Sequence, residues 1–85
     1  MKRSDIPTKA VLLACHKRHE GGGELAPWQA LMQEFKAPEK VVYAAMERDD
    51  ERGLIDYGVS IRHAWVTDKG YSFLVKRLIP LASLN

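Results

Sequence analysis

The punctuation between residues 27 and 53 constrains this chain more than any other feature. Pro27 and Pro38 each stand where a helix can begin. A first-turn residue has no intrahelical partner for its N–H, and proline's fixed φ is already helical. After Pro27, the apolar residues Trp28, Leu31, Met32 and Phe35 fall on one face at helical spacing. Lys36-Ala37 leaves room for only a tight turn. The stretch opened by Pro38 reads as helix to about Arg52, where Gly53 supplies the left-handed residue that commonly closes one. Helices are therefore expected over about 27–35 and 38–52.

Two helices of this length joined by so short a turn form a helix-turn-helix unit. Upstream, Ser4 and Asp5 are candidate caps for a first helix over about 7–20, with Pro7 near its start. Val11, Leu12, Cys15 and His19 make its inward stripe. Gly21-Gly22-Gly23 stops it, because successive glycines carry a heavy entropic penalty in a helix. Glu24-Leu25-Ala26 has room for a brief strand. Downstream the period changes. Leu54-Ile55-Asp56-Tyr57 and His63-Ala64-Trp65-Val66 read as short strands of a hairpin over about 54–66. Gly58 permits the positive φ that a hairpin turn uses, and Trp65 is expected to point inward and lock the hairpin onto the helices. Thr67 is a good N-cap for a last helix over about 68–79. Gly70 there leaves room for close packing, and Tyr71, Leu74 and Leu78, with Phe73 and Val75, supply its apolar face. Pro80 ends the helix, leaving Leu81 to Asn85 as a frayed or partner-bound tail. The expectation is one α+β domain over 1–85, mainly α, with a three-helix core, a two-stranded hairpin and a C-terminal helix.

Composition agrees with a single domain. At 85 residues the chain buries only a little over ~60% of its unfolded surface. Its hydrophobic fraction of 46% and charged fraction of 28% are those of an ordinary soluble globular protein. Thirteen Lys and Arg against 11 Asp and Glu give a net charge of +2, compatible with nucleic acid but short of a dedicated DNA binder's basic footprint. No apolar run suits a signal peptide or a membrane span of ~20 residues. One cysteine, Cys15, excludes an intramolecular disulfide, so a reducing, cytoplasmic setting is expected.

Arg52-Gly53-Leu54-Ile55, then Gly58, then Trp65-Val66-Thr67 and Gly70 resemble the closing phrase of winged helix-turn-helix domains, as found in MarR-like and PadR-like transcription regulators. The chain is also similar to small phage and prophage proteins. The likeness runs from about Thr8 to Leu74. It implies a third helix lying in the major groove and a hairpin wing reaching phosphates, hence a phage-type transcriptional regulator or accessory factor acting on double-stranded DNA. By this resemblance Glu39, Lys40, Tyr43 and Glu47 face the bases, Lys36 stands at the turn, and Arg62 and His63 lie on the wing. The nucleic-acid-binding candidates are Lys36, Lys40, Tyr43, Arg62 and His63. Lys36, Lys40 and Arg62 would make salt-dependent phosphate contacts, and Tyr43 would bond a phosphate or pack on a sugar. The chain departs from the family in two respects. From Pro38 to Arg52, Glu39, Glu47, Asp49, Asp50 and Glu51 stand against Lys40, Arg48 and Arg52, a charge of −2. Asp49 also occupies a slot, four residues before the closing glycine, that in the family holds a large apolar side chain.

Other signals read as structure. Cys15 and His19 have i,i+4 spacing, with His16 between them, but a structural zinc site needs four ligands and only His63 stands elsewhere. Cys15 is expected to be a buried small hydrophobe. No metal, cofactor or catalytic constellation is expected; the triple glycine lacks the Lys-Ser/Thr of a phosphate loop. The run Glu47, Asp49, Asp50, Glu51 lacks calcium-loop spacing and reads as a solvated helix face. Basic residues gather in the N-terminal segment and first helix (Lys2, Arg3, Lys9, Lys17, Arg18) and in the last helix (Lys69, Lys76, Arg77). With Leu13 and the apolar tail Leu78 to Leu84, that polarity allows an alternative: a protein-interaction module on the same scaffold that binds no DNA, through a homodimer or another protein partner.

Overall fold

The computed structural model describes residues 1–19 and 25–78. Among them the chain is α+β and mainly helical, with four α-helices and one two-stranded antiparallel sheet. The helices are α1 (Thr8–His19), α2 (Pro27–Phe35), α3 (Glu39–Glu51) and α4 (Asp68–Leu78); the strands are β1 (Ile55–Asp56) and β2 (Trp65–Val66). Ile55 pairs with Val66, and Asp56 with Trp65. None of the helices among the described residues is long and apolar enough to cross a membrane.

Local chemistry explains the boundaries. Pro27 opens α2, and the Gln29 side chain reaches back to accept from the Ala26 N–H at 3.2 Å, meeting one of the donors that a helix start leaves unpartnered. Lys36 ends α2 in the left-handed conformation (φ 51°), and the Ala37 N–H donates to the Met32 carbonyl at 3.1 Å. Pro38 then caps α3, its carbonyl accepting from Val41 and Val42. Gly53 (φ 76°) closes α3 as the sequence predicts. Its N–H donates to the Asp50 carbonyl and that of Leu54 to the Asp49 carbonyl. Thr67 joins two elements: its Oγ1 accepts from the Gly70 N–H at 3.0 Å, as an N-cap does, and donates to the Gly53 carbonyl at 2.6 Å.

One core unites these elements. Val11, Leu12 and Cys15 of α1 meet Leu31 of α2 and Val42, Ala45 and Met46 of α3; Ile55, Val66 and Leu74 continue the cluster. Trp28, Met32, Phe35, Tyr71 and Phe73 pack against it, partly buried. Gly70 holds α4 close to the sheet. A Cβ there would stand 2.1 Å from the Leu54 carbonyl oxygen and 2.6 Å from Val66 Cγ1, so only glycine fits. His16 Nδ1 and Tyr71 Oη, 3.1 Å apart, link α1 to α4, their rings meeting edge-on at 5.6 Å.

Several sequence expectations need correction. Ser4 and Asp5 do not cap α1. They lie in a 3-10 turn (Arg3–Asp5) in which Asp5 Oδ2 accepts from the Lys2 N–H, and Ile6 follows as a fully buried core residue. Leu25 and Ala26 form no strand; Glu24 lies outside the described residues. The strands are only two residues each, because Ile61–His63 folds into a 3-10 turn that removes His63 and Ala64 from the ladder. Gly58 is not in the positive-φ region, since the longer loop reverses the chain without it. Trp65 is 41% exposed. Strand residues alternate faces, so pairing that buries Val66 turns Trp65 outward. Val75 is likewise exposed. Gly21 to Gly23 and residues 79–85, with Pro80 and the tail, lie outside the described residues, as do the side chains of His19 and Leu78.

Candidate nucleic-acid interface

α3 buries one stripe and presents another. Val42, Ala45, Met46 and Asp49 face the core, which leaves Glu39, Lys40, Tyr43 and Glu47 toward the outside, with Glu39 and Tyr43 partly covered. The loop between the strands runs beside this outer stripe. Glu39, Lys40, Tyr43, Ala44, Glu47 and Arg62 line a shallow depression of about 590 Å³. A second one adjoins it, lined by Tyr43 and Glu47 with Tyr57, Val59, Ser60 and Ile61.

Arg62 reaches this site through local loop chemistry. Ser60 caps the 3-10 turn, its Oγ accepting from the Arg62 N–H at 3.2 Å. The Arg62 guanidinium carbon then lies 4.9 Å from the Trp28 ring centroid and 5.7 Å from that of Tyr43, within cation–π range of both. One guanidinium nitrogen also donates to the Glu39 carboxylate. A single side chain thus ties the loop to α2 and α3 while staying 44% exposed. Of the candidates, Lys40, Tyr43 and Arg62 come together in one depression. Lys36 and His63 are exposed but do not line it. The roles of Trp28 as platform and Glu39 as counter-charge had no signal in the sequence, since both contacts are long-range. Ser60 had a weak one: serine favours turns that bond a backbone N–H two residues on.

The acid in the second half of α3 is not all a solvated face. Asp49 is fully buried. Its carboxylate accepts from Thr8 Oγ1 at 2.9 Å, from Arg48 Nε at 3.1 Å and from Arg48 Nη2 at 2.9 Å, with Arg52 Nη1 at 3.5 Å. Arg48 also donates to the carbonyls of Arg3 and Ile6, both at 2.9 Å. Arg52 donates to Thr8 Oγ1 at 3.0 Å. This network clasps the N-terminal segment beneath α3. Asp49 falls on the buried stripe because two arginines and a threonine satisfy it there. Its charge is cancelled locally and does not face the outer stripe.

Cys15 is buried, and burial first, then the charge of Asp49, pushes its thiol up to about 12. A thiol so protonated at neutral pH is a weak nucleophile. Among the described residues no three His, Cys, Asp or Glu side chains group to hold a metal. Compared with protein families, curated proteins and solved structures, the chain matches none.

Proposed function

We propose that the chain is a winged helix-turn-helix domain that binds double-stranded DNA, with α3 in the major groove and the β1–β2 loop as its wing, acting as a phage-type transcriptional regulator or accessory factor. One observation carries this reading: Lys40, Tyr43 and Arg62, drawn from α3 and the loop, line a single exposed depression. Lys36 at the α2–α3 turn and His63 on the loop are exposed outside it. Arg62 is preorganised by its stacking on Trp28 and Tyr43, so little side-chain entropy is lost when a phosphate replaces the Glu39 carboxylate. The exposed ion pair it gives up is worth at most ~1 kcal/mol.

Electrophoretic titration against random duplex at low salt tests the reading. Phosphate contacts by Lys36, Lys40 and Arg62 imply a log K against log[salt] slope of roughly −3. The Lys40→Ala/Arg62→Ala protein should lose about 2 of that slope. Absence of any shift up to about 100 μM (the weak end of non-specific binding), or a double variant that binds like the parent, defeats the proposal.

A second reading, a protein-interaction module that leaves DNA alone, is favoured by a different observation. Tyr57, Val59 and Trp65 are exposed on the hairpin and its loop, and Ala10, Leu13 and Ala14 line a groove between α1 and α2. Its test is solution mass: a dimer that Leu13→Glu dissociates, in a protein that shifts no duplex, supports this reading over the first.

A further inference from the structure

We propose that Glu47 is a specificity-determining residue that makes the protein prefer duplexes presenting a cytosine amino group opposite the C-terminal end of the α3 outer stripe. This inference rests on the DNA-binding reading. Glu47 is the exposed carboxylate common to both depressions, between α3 and the loop. Glu39, its counterpart two turns earlier, is held by Arg62, whereas no ion pair engages Glu47 among the described residues. Of the cationic groups that would anchor phosphates, Lys36 precedes α3, Lys40 lies in its first turn and Arg62 is paired with Glu39 at its start.

A carboxylate brought to a major-groove floor meets phosphates on both sides and gains nothing from acceptors. Guanine offers N7 and O6, and thymine offers O4, all of which repel it. Adenine's N6 amino group donates, but its N7 acceptor lies alongside. Cytosine N4 is the donor without that neighbour, and it is the base edge that Glu and Asp accept from. Glu47 therefore penalises duplexes lacking the donor and spares those that have it. Discrimination of this kind operates by repulsion as much as by attraction. The exposed Glu47 carboxylate then sets selectivity, while the cations toward the α3 N-terminus set affinity.

The test is selection from a duplex pool with a randomised centre, using the full chain, followed by titration of a selected duplex and of the same duplex with one C·G pair changed to T·A. The parent should enrich a cytosine at one position, and the C·G to T·A change there should weaken binding roughly tenfold, the lower end of what a base-edge contact provides. Glu47→Ala should bind random duplex more tightly than the parent and lose the preference at that position alone, with an unchanged melting curve showing that the fold is intact. If the parent binds DNA but enriches no cytosine, or if Glu47→Ala keeps the same preference, this inference falls and the DNA-binding reading stands. If the parent binds no duplex at all, both fall.

Discussion

Replacing Asp49 by Ala tests the buried clasp under α3. The carboxylate is fully buried and meets Thr8, Arg48 and Arg52. The Arg48 side chain keeps only 12% of its surface exposed. Without the carboxylate, the guanidinium retains the Arg3 and Ile6 carbonyls but no counter-charge, and Thr8 Oγ1 loses its acceptor. Removing one partner of a buried pair costs about 3–5 kcal/mol. Against the ~5–15 kcal/mol that holds a domain folded, that is roughly a fifth or more of the stability. At roughly 4–8 °C per kcal/mol for a domain this size, thermal unfolding followed by far-UV circular dichroism should drop by at least ~12 °C. Asp49→Asn, which removes the charge with little volume, should fall nearly as far. The Arg48→Met/Asp49→Leu protein should recover part of the loss, because an apolar pair leaves no buried charge uncompensated, although the Arg3 and Ile6 carbonyls lose their donor. An Asp49→Ala protein within ~1 kcal/mol of the parent would refute the reasoning, since a surface charge costs no more than that.

Three further outcomes follow from the packing. Gly70→Ala should destabilise by about 3 kcal/mol in urea unfolding, since its Cβ would meet the Leu54 carbonyl oxygen at 2.1 Å and overpacking against backbone has no easy relief. Trp65→Ala should cost less than Ile55→Ala, because Trp65 is 41% exposed whereas Ile55 is 1% exposed in the parent and its truncation should cost about 2–5 kcal/mol; the reverse order would mean that the strand faces are assigned wrongly. The thiol of Cys15, raised from 9.0 to about 12, should make stability fall as pH rises from 9 toward 12. In that window the unfolded chain has lost the proton and the folded one keeps it, a slope of up to ~1.4 kcal/mol per pH unit. Cys15→Val should lack that component, and a slope identical to the parent's over the same range would rule it out.

The helices could be read from the chain because their signals are local. Pro27, Pro38, Gly53 and Thr67 each act on backbone groups within a turn of themselves, and each stands where it was expected. Gly70 was recognisable as a close-packing position, although nothing local says that the Leu54 carbonyl is what it packs against. The hairpin was less legible. His63 and Ala64 have strand-like neighbours, but a single Ser60 hydrogen bond favours a 3-10 turn there, and two-residue strands leave periodicity little to show. Trp65 is the sharper lesson: a large aromatic predicts burial by composition, yet its side of the ribbon is set by which neighbour, Val66, enters the core.

The candidate site divides in the same way. Lys36, Lys40, Tyr43, Arg62 and His63 could be named from a resemblance, but their grouping could not. Arg62 finds Trp28, Glu39 and Tyr43 across long sequence separations, and so Lys40, Tyr43 and Arg62 share a depression that Lys36 and His63 do not line. Asp49 shows the limit most clearly. By itself the sequence determined the helices, their order and the turn that joins α2 to α3, because capping, proline and glycine chemistry act within a few residues. Tertiary structure alone decided that an aspartate could sit in the core of α3, because its solvation there comes from Thr8, Arg48 and Arg52. Whether a buried charge is satisfied depends on what the rest of the fold brings to it.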